Sequence, residues 1–133
     1  MSSRNLVVGP LAMIGAGGTP AFAASFHGQK FPLLLKPGHR VTLELSVGTR
    51  RGAALGYGPL AQGDVGVAQA HRVVTFIACP RGASASEVDG KPVTFWSGGV
   101  LAKSPRCVPL RVWIDGASSP RRVVIRLGVD RCG

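Results

Sequence analysis

The C-terminal stretch RVWIDGASSPRRVVIR, residues 111–126, carries the side chains best suited to chemistry in this 133-residue chain. An indole, Trp113, stands among the guanidiniums of Arg111, Arg122 and Arg126. A flat indole offers a stacking surface worth roughly 1–3 kcal/mol per base or similar ring. Guanidiniums beside it hold phosphate or carboxylate in a two-pronged fashion. These four residues therefore form the candidate anion- or partner-binding set. The same residue types also serve a sheet with no ligand, since aromatic–arginine pairs across strands stabilise it by about 0.5–1 kcal/mol.

Other chemistry has little to work with. The acids Glu44, Asp64, Glu87, Asp89, Asp115 and Asp130 form no spaced pair suited to acid–base work. His27, His39 and His71 lie far apart, and none has the His-x-x-x-His spacing of a metal site. His71 and Cys79 could make a thiol enzyme, but along one strand eight residues separate them by roughly 26 Å. The SGG at 97–99 lacks the strand–elbow–helix context of a nucleophilic serine and reads as a bulge or tight bend. Gly15 to Gly18 is no phosphate loop, because no Lys-Ser/Thr follows. The residues thus give no catalytic set, no metal ligands and no cofactor.

The elements that must carry the basic set are strands. Nineteen glycines and ten prolines punctuate short apolar runs. RVTLELSV at 40–47 alternates, with Val41, Leu43, Leu45 and Val47 on one face and Arg40, Thr42, Glu44 and Ser46 on the other. FPLLLKPGH precedes it, an apolar strand ending in a Pro37-Gly38 turn. Further strands are expected at 53–57, 72–78, 93–97, 100–103, 109–115 and 121–127, with a loop at 58–70. Trp96 alternates with Phe95 and is expected in the core. No window sustains a helical stripe beyond about two turns. The fold class expected is all-β, one antiparallel sandwich domain of about eight short strands over residues 1–133. An apolar strand, Pro-Gly, then an alternating strand also opens immunoglobulin-like sandwiches.

In the last hairpin, Leu110, Val112 and Ile114 must meet the core together with Val123, Ile125 and Leu127. A one-residue slip would turn either set into water, so partner numbers must add to an odd value. Pairing Ile114 with Val123 puts Trp113 beside Val124 and Arg111 beside Arg126. A two-residue shift puts Trp113 beside Arg122. Either way Arg111, Trp113, Arg122 and Arg126 share the outer face, and facing arginines cost energy unless an anion or water lies between them.

Three cysteines, Cys79, Cys107 and Cys132, leave one thiol over. Their spacing fits no zinc or iron–sulfur pattern. Loop-closure entropy favours no pairing, each giving about 3.5–4 kcal/mol. Odd-sum pairing of the hairpin brings Cys107 and Cys132 together at its open end, which makes Cys107–Cys132 the first choice and Cys79–Cys107 the second. A bridge would imply an oxidising compartment; three reduced thiols in the cytosol are the other option.

At residues 1–24, MSSRNLVVGPLAMIGAGGTPAFAA has two readings. Arg4, an apolar stretch and Ala21-Phe22-Ala23 outline a secretory signal cleaved after Ala23. Gly9-Pro10 and the glycines at 15–18 would break a signal helix and favour strands at 5–9 and 11–15 instead. The charge, 16 Lys+Arg against 6 Asp+Glu, favours polyanions without choosing among them.

HRVVTFIACP, VTFWSGGVL, RCVPLRVWIDG and the terminal Cys resemble a group of uncharacterised exported or membrane-anchored proteins of actinobacteria, the Streptomyces type. The likeness runs from VGPL at 8–11 to Cys132. It implies that residues 6–11 belong to the folded domain and that an export segment lies upstream of this chain. It also implies a sandwich, an envelope location and oxidised cysteines, and it brings no activity, ligand or catalytic residue. The reading is a non-enzymatic, extracytoplasmic module of the cell envelope whose basic face meets an anionic wall polymer, membrane surface or envelope protein. The alternative is a cytosolic nucleic-acid-binding β-domain using the same face. No small-molecule substrate is inferred.

Overall fold

The computed structural model describes residues 4–18, 20–46, 48, 52–57, 70–80, 82 and 86–132. The chain forms twelve strands among these residues. They are β1 (Leu6–Val8), β2 (Leu11–Met13), β3 (Gly28–Lys30), β4 (Leu33–Leu35), β5 (Arg40–Leu45), β6 (Ala53–Tyr57), β7 (Val73–Ile77), β8 (Ser86–Val88), β9 (Lys91–Trp96), β10 (Gly98–Ala102), β11 (Arg106–Ile114) and β12 (Arg121–Leu127). One short 3-10 turn, Ala24–Phe26, precedes β3. All the strand pairs are antiparallel, and the molecule is an all-β sandwich. There are more strands than the eight or so expected. The three-residue strands β3 (GQK) and β8 (SEV) are too short for alternation to reveal them. The loop expected at 58–70 lies outside the described residues except for Ala70.

The strands fall into sheets ordered β1-β2-β4-β9-β8, β3-β10-β6 and β12-β11-β5-β7. The first two sheets are halves of one bent ladder. Leu33 faces Trp96 in the β4–β9 pair, Lys30 faces Gly99 in the β3–β10 pair, and the Phe31 N–H donates to Gly98 O at 2.9 Å between them. The register is therefore the same on both sides of the break. Pro32 has no N–H to offer the ladder, and Gly98 adopts φ +146°, where side chains are strained. A Cβ on Gly98 would run into the carbonyl oxygen of Gly56. This is the tight bend expected at SGG.

A single main core is shared by all the sheets, with Leu33, Leu43, Leu55, Val100, Leu110 and Ile125 at or below 1 % exposure. Phe76 stands edge-on to Tyr57 and Trp96, with ring centroids 5.3 and 5.1 Å away. Trp96 is partly buried against this core, as its alternation suggests. The Tyr57 hydroxyl donates to Phe31 O at 2.8 Å, and burial pushes its pKa far above the ordinary phenol value. Residues 6–8 and 11–13 pair as a hairpin, Leu6 opposite Met13, with Leu11 and Met13 in the core. Among the described residues no helix is long and apolar enough to cross a membrane.

Candidate binding face

The β12-β11-β5-β7 sheet turns one side to the core and the other outward. On β11, Val108, Leu110 and Val112 are 0–1 % exposed, and on β12 so are Ile125 and Leu127. Pro109, Arg111 and Trp113 alternate with the first set, and Arg122, Val124 and Arg126 with the second. The odd-sum parity holds, but the register differs from both expected options. Val123 faces Leu110, not Ile114 or Val112, and Arg111 faces Arg122.

The reason lies at the turn. Asp115 N–H donates to Arg40 O at 2.7 Å, and its carboxylate accepts from the Arg40 N–H at 3.0 Å and lies 3.0 Å from His39 Nδ1. These bonds hold the end of β11 against β5, so the chain reaches β12 only after a longer loop. The backbone hydrogen bond from Arg40, then the side-chain one from His39, holds the Asp115 carboxyl below its usual range. At the other end, the Ser46 N–H donates to Pro109 O at 3.3 Å. The return bond to Ser46 O is impossible because proline has no N–H, and β5 stops at Leu45.

Glu44 is the residue that sequence reasoning missed. On β5 it lies opposite Arg111, and its Oε1 accepts the Trp113 indole N–H at 3.1 Å. Arg111 Nε lies 3.2 Å from the same oxygen, close enough for charges to pair, although its N–H is not aimed for a hydrogen bond. The carboxylate is the anion that facing arginines require, and it comes from the flanking strand. The polar parity of 40–47 already put Glu44 on an outer face; which strand lies beside β11 was not readable.

The four expected residues do share this outer face, but they do not form one cluster. Arg111, Trp113 and Arg122 are neighbours. Arg126 lies opposite Cys107, some six residues or roughly 20 Å along β11 from Trp113. Its guanidinium donates to Gly18 O at 2.9 Å and Asp130 O at 3.1 Å, which fixes its position, and among the described residues it has no carboxylate partner. Arg122 is exposed, with no hydrogen bond or ion pair among the described residues. Trp113 is half-buried, so its ring is a fixed edge-anchored surface and not a free platform.

Cys107 and Cys132 are bridged, with Cα atoms 5.7 Å apart at the open end of the hairpin. Cys79 is the free thiol, partly buried, its N–H donating to Thr94 Oγ1 at 2.8 Å. His71 bridges to Leu55 at the opposite end of β7 from Cys79, so the two make no dyad. No group of His, Cys, Asp and Glu among the described residues is arranged to hold a metal. No known family, curated protein or solved structure matches the chain.

Proposed function

We propose that the protein is a non-enzymatic module of the cell envelope that binds an anionic polymer, surface or protein partner through the outer face of β12-β11-β5-β7. One observation carries this reading. The outer face carries Arg40, Arg111, Arg122 and Arg126 along its length, with Trp113 next to Arg111 and Arg122, while Glu44 is the only carboxylate within the four strands and Asp115 lies just past β11 against Arg40. Excess positive charge on a flat, open sheet attracts polyanions and raises their encounter rate. The Cys107–Cys132 bridge supports an oxidising, extracytoplasmic compartment over the cytosolic nucleic-acid reading. An immunoglobulin-like sandwich and an actinobacterial, exported origin belong to the same proposal, supported by the β4–turn–β5 pattern and by the sequence resemblance.

Retention on immobilised heparin as a function of salt tests this reading. The wild type is retained at ~50 mM salt and elutes earlier once R122E and R126E are introduced. R111A changes elution little, because Glu44 already offsets that guanidinium. A wild type that flows through at low salt, or R122E and R126E variants that elute with it, would overturn the proposal.

A further inference from the structure

The face of the β1-β2-β4-β9 strands turned away from the core is apolar as well. A row of paired residues, Val7–Ala12–Leu34–Phe95, crosses four strands. Its middle is buried, with Ala12 and Leu34 each 5 % exposed, and its ends are open, Val7 at 56 % and Phe95 at 47 %. β8 is the edge strand beside β9, and its Val88 packs against the buried cluster of Ala12, Leu34 and Val93. Two grooves result, of about 630 and 370 Å³, and both are lined by Leu34 and Val88. The larger is within the ordinary size range of small-ligand sites. Along its floor, Val7, Ala12, Leu34 and Val93 offer only hydrocarbon. Among the described residues its charged or ionisable side chains are Lys36, Lys91 and His39, with Asp89 as the single acid. His39 Nδ1 is held by Asp115.

We infer that this groove binds a single-chain anionic amphiphile, with the hydrocarbon tail on the Val7–Leu34–Val93 floor and a phosphate or carboxylate head between Lys36 and Lys91. The tail chemistry follows from a floor without hydrogen-bonding side chains, on which a polar ligand would lose its water without compensation. The head chemistry follows from two ammonium groups against one carboxylate at the rim. The site lies on a different sheet from the basic face and does not depend on it.

Methyl-resolved NMR titration with dodecyl phosphate, held below its micelle-forming concentration, tests the inference. Saturable shifts are expected at the methyls of Val7, Ala12, Leu34, Val88 and Val93, with none at Val73, Ile77 or Val124 of the four-stranded sheet. Dodecyltrimethylammonium should bind roughly tenfold more weakly or worse, and K36E/K91E should erase that difference. V7W, placed at an exposed position, fills the groove and should abolish the shifts while its own spectrum reports an intact fold. The inference is overturned by absent or unsaturable shifts, by equal affinity for the two head groups, by full affinity in V7W, or by shifts confined to the four-stranded sheet. Self-association that alone accounts for the shifts, seen by sedimentation, overturns it too. So does sedimentation of the protein with phosphatidylglycerol vesicles that V7W prevents, since that would assign the groove to a membrane and not to a monomeric amphiphile.

Discussion

Replacing Glu44 with glutamine separates stability from binding on the basic face. The variant keeps a side-chain carbonyl to accept the Trp113 N–H and removes only the charge. Arg111 would then face Arg122 with no counter-ion, its side chain only 27 % exposed and that of Glu44 22 %. A hydrogen bond or close contact to a charged group is worth about 1.5–3 kcal/mol when buried and less where water screens it, so a loss of about 1–2 kcal/mol is expected. For a domain of this size that lowers Tm by roughly 3–7 °C. Glu44→Ala, which also strands the indole N–H, should cost about 1 kcal/mol more. Thermal unfolding followed by circular dichroism reads both values. Sulfate should recover part of the E44Q loss by taking the place of the carboxylate, and E44Q should elute from heparin at higher salt than the wild type. An E44Q protein that melts within about 1 °C of the wild type and elutes with it would show that Glu44 does not hold these side chains together.

The Cys107–Cys132 bridge closes a separation of 25 residues, so C107A/C132A should lose about 3.5 kcal/mol in chemical denaturation, whereas C79A should lose far less. Thiol titration of the unfolded, unreduced protein should count one thiol per chain and three after reduction; three without reductant would contradict the bridge. Gly98→Ala should cost about 3–5 kcal/mol or prevent folding, because both φ and the Gly56 carbonyl oppose a Cβ; a variant as stable as the wild type would contradict the bend. The Asp115 carboxyl, lowered in the folded state, contributes stability that is fully present above the ordinary carboxylate value of 3.8 and lost as pH falls through its folded pKa. An acid-unfolding curve of Asp115→Asn should therefore be flatter below pH 3.8 than that of the wild type, and identical curves would remove Asp115 from the account.

Alternation over residues 40–45, 109–115 and 121–127 sufficed to name which side chains face the core, because the pleat forces every second residue to one face. Boundaries at 53–57 and 121–127 were legible because glycine or proline marks both ends of each. Parity also brought Cys107 and Cys132 together, since a disulfide at the open end needs only that both flank the hairpin on one side. β3 and β8 were invisible because GQK and SEV are short and mostly polar, whereas the equally short β1, β2 and β4 were marked by apolar runs. The hairpin register was underdetermined because parity admits every second shift, and the choice was made by Asp115 bonding Arg40 and His39 on another strand.

Local sequence thus decided composition and the inward and outward faces, both properties of a chain segment and its pleat, and ranked Cys107–Cys132 first among the possible cross-links. Only the folded arrangement decided neighbours. It set Glu44 between Arg111 and Trp113, moved Arg126 away to the disulfide end, and packed Val88 of β8 against the cluster of Ala12, Leu34 and Val93 that floors the groove. Strand adjacency depends on which sheets bury their apolar faces together, a free energy shared by the whole core and written in no single stretch of residues.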